Sequence, residues 1–236
     1  MKKRHIVASC RRELQAVVTM RQSVKKDVAT LAAMSAVKQF QATRMAVTHA
    51  DLLASPESSA AAQFFLSDLY GAKDFTQRDT DIERIIPLSE HMLPVSALRT
   101  IAEAIALDAL SEAMDSAMAS RLGEKFSEAE YVASYREVTR RDDRERQLAR
   151  IQSLGNSLCA LVRKPLLGST LKMMRGPAKL AKLFELHNFL ERGFEAFKGM
   201  KQPYAFVATI VARESAIMEN IYAGRAMPFA QPRAGS

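Results

Sequence analysis

The chain has 236 residues, and its 34 lysines and arginines outnumber its 26 aspartates and glutamates, for a formal charge of +8. That length allows one large domain or two small ones, each with a real core. Two distant cysteines, Cys10 and Cys159, give no support to a disulfide framework or a zinc site and read as buried thiols.

No window reaches eighteen uncharged apolar residues, so no membrane-spanning helix is expected. The opening MKKRHIVASCRR loses its apolar run to charge too early for a signal peptide, which makes the cytoplasm the expected location. Tryptophan is absent and period-two alternation is missing, so the composition predicts an all-α protein.

From about residue 6 to residue 50 the chain lacks glycine and proline, and Leu14, Val17, Val24, Val28 and Leu31 recur at helical spacing. This predicts one long N-terminal helix with an apolar stripe, interrupted by Arg21, Ser35 and Lys38. Ser55 and Pro56 suit the start of a second helix and Gly71 its end. Thr76 and Asp79 have capping-box spacing for a third, stopped at Pro87.

Pro94 can open a fourth helix that runs to Gly123 and faces Leu98, Ile101, Ile105, Leu107 and Met114 inward. Ser127 and Glu130 form a second capping box. After the charge run RRDDRER, read as a solvated turn of helix, Leu148, Ile151, Leu154, Leu158 and Leu161 mark another helix. A shorter one follows in PLLGSTLKMMRG, Pro177 and Pro203 open the last two, and Gly224 closes the chain's helical part. The expected fold is a single-domain multi-helix bundle over residues 1–225, of about eight or nine helices, followed by a flexible tail over 226–236.

Charge is segregated along the chain. Residues 1–26 carry eight basic side chains against Glu13, and residues 51–130 carry fifteen acidic against six basic. Residues 146–184 carry eight basic and no acidic one. A basic first helix lying beside the acidic middle would account for part of this. Alternatively, Arg163, Lys164, Lys172, Arg175, Lys179 and Lys182 would form a surface for a polyanion or an anionic membrane face. No zinc-finger spacing, aromatic stacking pattern or basic recognition helix points to nucleic acid.

The densest stretch is FFLSDLYGAKDFTQRDTDIERIIP, from Phe64 to Pro87. Asp68, Asp74, Arg78, Asp79, Asp81 and Arg84 could form a polar site. The same residues also suit a helix–helix corner: aromatics anchor it, Gly71 stops one helix, Thr76 caps the next, and Asp79 and Asp81 lie where a helix N-terminus favours negative charge. Catalysis is not indicated by motif. No Glu-x-x-His pair, Gly-x-Ser-x-Gly elbow or phosphate-binding glycine loop occurs, and His5, His49, His91 and His187 stand singly. His187 and Glu191 read as an exposed helix pair. No catalytic residue, metal ligand or cofactor is assigned.

This block, with ALRTIAEAIALDALSE, RKPLLGSTLKMMRGPAKL and FLERGFEAF, resembles an uncharacterised family of all-helical proteobacterial proteins over roughly residues 55–225. The resemblance implies an all-α bacterial protein and carries no activity. The expected role is therefore binding, with a protein partner or a second copy as target. The alternatives are an anionic surface met by residues 163–182, and a helical enzyme or cofactor binder using the Asp/Arg block.

Overall fold

The computed structural model describes residues 3–69, 79–84, 86 and 95–230, and every regular element among them is helical. The first half comprises α1 (Lys3–Lys26), α2 (Val28–Thr48), α3 (Ala50–Ala54), α4 (Ser59–Phe64) and a π-helical turn at Phe65–Leu69. The second comprises α5 (Val95–Leu122), α6 (Glu128–Val138), α7 (Arg141–Val162), α8 (Leu167–Leu180), α9 (Phe184–Lys198) and α10 (Pro203–Tyr222). Residues 79–84 are also helical. The all-α expectation holds, with a long helix at the N-terminus.

That helix does not continue to residue 50. Asp27 is extended (φ −116°, ψ 114°), and its carboxylate accepts the backbone N–H groups of Ala29 and Thr30, so it caps a new helix. Arg21 and Lys38 both bind Glu112. On one straight helix they would stand about 25 Å apart, so α2 must fold back at Asp27. The stripe therefore changes phase: Leu14, Val17 and Val24 are buried, but Val28 is 82% exposed, and α2 buries Met34, Val37 and Met45 instead.

Other boundaries move for equally local reasons. Ser55 ends α3 rather than starting a helix, and α4 begins only at Ser59. Pro177 lies inside α8 and costs that exposed helix one backbone hydrogen bond. Past its C-cap at Ala181, Lys182 has a left-handed φ of 57°, and Leu183 N–H bonds to the Ala178 carbonyl at 2.8 Å as in a Schellman motif. Gly123, the Ser127–Glu130 capping box, Pro203 and Gly224 stand where expected. Gly71, Thr76, Pro87 and Pro94 lie outside the described residues. The expected tail starts by folding back: Pro228 is buried and Phe229 packs against Phe40 and Tyr131.

Helix α5 is the spine, with α1, α2, α6 and α7 packed on it, and α10 lying on α7. The acidic α5 is thus flanked by the basic α1. Among the described residues the core forms three apolar clusters. One joins Ile6–Leu14 to Leu98 and Ile105, one joins Val37 and Met118 to Tyr131 and Ile217, and one joins Phe64 and Ile151 to Phe197 and Phe206.

Helices α7 and α10 approach closely at Gly155, where an added Cβ would stand 2.7 Å and 2.9 Å from the two methyls of Val207. Helix propensity would favour Gly155→Ala by about 1 kcal/mol, but overpacking costs about 1–3 kcal/mol. The variant is expected to lower the urea midpoint, and Gly155→Ala with Val207→Ala should lose less stability than the two single losses added.

Candidate functional site

Among the described residues, two chambers lie in the seams between the apolar clusters. The larger, about 160 Å³, runs along one face of α5 from Ala104 to Asp115. Its far wall is apolar, made by α7 (Ile151, Leu158), α9 (Phe197) and α10 (Phe206, Ile210). Its near end is charged, because two of the side chains that interrupt the N-terminal stripe, Arg21 and Lys38, line it.

Arg21 donates to Asp79, to Asp108 at 2.8 Å and to Glu112 at 3.0 Å. Lys38 reaches Glu112 at 3.0 Å from α2. Burial alone would lower the Arg21 pKa; Asp108, then Glu112 and Asp79, outweigh it and raise it. Beside them Gln41 donates to Asp115 at 2.9 Å, and burial pushes that carboxyl's pKa up, which favours the neutral acid.

The predicted Asp/Arg site is only partly assembled. Asp79 is 2% exposed and faces the larger chamber. Asp81 is fully buried but turns elsewhere, accepting the Leu186 N–H at 3.2 Å and so capping α9 from a distance. Arg84 is exposed and donates to the Lys182 carbonyl at 3.4 Å, not to a carboxylate. The side chain of Asp68, and Asp74 and Arg78 altogether, lie outside the described residues. A guanidinium that meets Asp79 comes from Arg21, 58 residues away, which no local pattern could show.

His187 and Glu191 are not an exposed pair. His187 is buried with Nε2 2.8 Å from the Leu171 carbonyl oxygen, and Glu191 holds Arg175. Both cysteines are buried as expected, and burial raises both thiol pKa values. Among the described residues no three His, Cys, Asp or Glu side chains gather as a metal-binding set, and no helix is long and apolar enough to cross a membrane.

The basic segment is spread over α8 and its flanks. Arg163 covers the Tyr204 ring at 5.2 Å and Arg175 pairs with Glu191, while Lys164, Lys172, Lys179 and Lys182 are exposed. Only Ala178 of α8 is buried. Leu166, Met173 and Leu180, seven residues apart and thus on one face, are 76%, 77% and 87% exposed.

The smaller chamber, about 70 Å³, shares Gln41, Phe65, Ser111 and Asp115 with the larger. Arg144 lines it, 6% exposed, although RRDDRER reads as solvated. The signal was available: Arg144 stands four and seven residues before Leu148 and Ile151, on the buried stripe of α7. Arg44 also lines it, bonded to Glu214 at 2.6 Å, with His49 Nε2 3.0 Å from the same oxygen.

Burial would raise the Glu214 pKa, but Arg44 and His49 overcome this and bring it down from 4.5 to about 2. A depressed carboxylate pKa stabilises the fold above the unfolded value, and the contribution fades as pH falls towards 2. Glu214→Gln is expected to cost about 3 kcal/mol at pH 7 by chemical denaturation, with the gap to the parent closing between about pH 4.5 and pH 2.

No curated protein and no solved structure matches the chain. A family model does, over residues 20–228, in keeping with the likeness to an uncharacterised family. The chain belongs to the family described as a domain of unknown function, DUF8198.

Proposed function

We propose that this protein acts by binding a small amphipathic molecule in the larger chamber. The observation that carries this reading is the 160 Å³ void itself, apolar along most of its wall and charged at one end. Protein interiors are close-packed, and space that stays unfilled costs up to about 24 cal/mol per Å³. The chamber is partly open, so solvent meets some of that cost, and a ligand that fills its apolar part returns the rest.

The apolar length suits a group about the size of a substituted benzene ring. Among the described residues, Arg21 and Lys38 meet Asp79, Asp108 and Glu112 at the charged end. A polar group with N–H donors can hydrogen-bond to carboxylate oxygens there. The apolar stripe of α1 is buried against α5, so the first helix no longer argues for a partner protein.

Titration with benzylamine, followed by methyl-resolved NMR, tests the reading. The methyls of Ile105, Ile151, Leu158 and Ile210 are expected to shift together and saturate. Ala104→Leu, which fills the same space, should abolish the response and raise the melting temperature by a few degrees. Silent methyls, or a response unchanged by Ala104→Leu, would sink the proposal.

A second reading is favoured by α8, whose Leu166–Met173–Leu180 face is exposed with Lys172 and Lys179 beside it. Such a helix suits the surface of an anionic membrane, with about 1 kcal/mol per lysine near the lipid. Flotation should show binding to vesicles containing phosphatidylserine and none to neutral ones. Lys172→Glu with Lys179→Glu should remove it; Arg175 is left alone because it holds Glu191. Equal flotation with both vesicle types would discard this second role.

A further inference from the structure

The smaller chamber presents a different chemistry from the larger. An arginine side chain keeps its charge wherever it is placed, and burying one without a counter-charge is costly. Arg144 is buried, yet its partners are neutral. Its Nε donates to Thr139 Oγ1 at 3.4 Å, its Nη1 donates to Gln147 Oε1 at 3.2 Å, and its guanidinium lies 4.1 Å from the centre of the Tyr135 ring.

Among the described residues no carboxylate lies within ion-pair distance of Arg144, and its buried Nη2 has no acceptor. Across the same chamber Arg44 spends one nitrogen on Glu214 and leaves its buried Nε without an acceptor. Among the described residues Glu214 is thus the one carboxylate bonded to either guanidinium, and each guanidinium keeps a free N–H. Asp115 also lines the chamber, but it is held by Gln41 rather than by either arginine, and burial pushes its pKa and those of Tyr131 and Tyr135 up.

We propose that the smaller chamber is a binding site for a small, planar, singly charged oxyanion of carboxylate shape, held by Arg144 and Arg44. At about 70 Å³ the space is less than half that of the larger chamber and suits a small ion of a few heavy atoms. A single negative charge gives Arg144 the counter-charge that its neutral partners lack. Phosphate brings more charge than that one guanidinium calls for. The planar fork of arginine matches a planar carboxylate in a way that a lysine ammonium does not. The two chambers share part of their walls, but this site draws on unpaired donors, not on apolar volume.

The test is an acetate titration at constant ionic strength, with chloride as the charge control, acetamide as the neutral isostere and phosphate as the size control. Two readouts are followed, the melting temperature and the side-chain Nε–H resonance of Arg44. Acetate is expected to raise the melting temperature saturably and to shift that resonance, while chloride, acetamide and phosphate do neither. Arg144→Lys, which keeps the charge but loses the fork, should weaken acetate by about tenfold or more. Val211→Phe, which fills the chamber and leaves both arginines in place, should abolish the effect and guards against misfolding of the Arg144 variant. An equal response to chloride and acetate, or an acetate response that survives Val211→Phe, would overturn the assignment and leave the chamber to water.

Discussion

A guanidinium withdrawn from water must be met by negative charge, and Arg21 is met by Asp79, Asp108 and Glu112. This requirement ties α1 to α5 and to the helical stretch at residues 79–84, and through Lys38 and Glu112 it brings in α2. Such a network adds little net stability, because desolvation offsets most of the attraction. Its effect is on register. A slide of α1 by one turn along α5 would keep much of the apolar contact but leave Arg21 without its carboxylates, which is far more expensive. The bend at Asp27 follows, since only a folded-back α2 can bring Lys38 to the same carboxylate.

That network also keeps the core from closing into one mass. Apolar side chains fill three clusters, and the polar residues of α1, α2 and α5 stand in the seams between them. Side chains such as Arg21, Glu112 and Arg144 are too long and too demanding of partners to pack as leucine does. Where they line a wall the helices are held apart, and a chamber remains. The polar ends of both cavities and the partition of the core therefore share one cause.

The helical class, the α5 and α10 boundaries and the Ser127 capping box were legible because each depends on residues a few positions apart. The corner at Asp27 was not, since a lone aspartate between two apolar runs reads as an ordinary helix position until its carboxylate is seen capping α2. Arg21 and Lys38 registered as faults in an amphipathic stripe, and their meaning depended on carboxylates more than seventy residues away, at Glu112. Arg144 was hidden by its neighbours: a run of seven charges suggests solvent, though helical spacing placed this one on the buried face. The Asp/Arg block was rightly noticed as dense, but its members serve separate ends, Asp79 the chamber and Asp81 the start of α9.

Two partly open chambers also set how the protein answers hydrostatic pressure. Whatever part of them solvent leaves unfilled is flooded on unfolding, so the disordered chain with its solvent occupies less volume than the native state. Compression therefore works against this fold more than against one of equal stability with a filled interior. Any molecule that occupies the larger chamber reduces that difference, and with it part of the native state's compressibility.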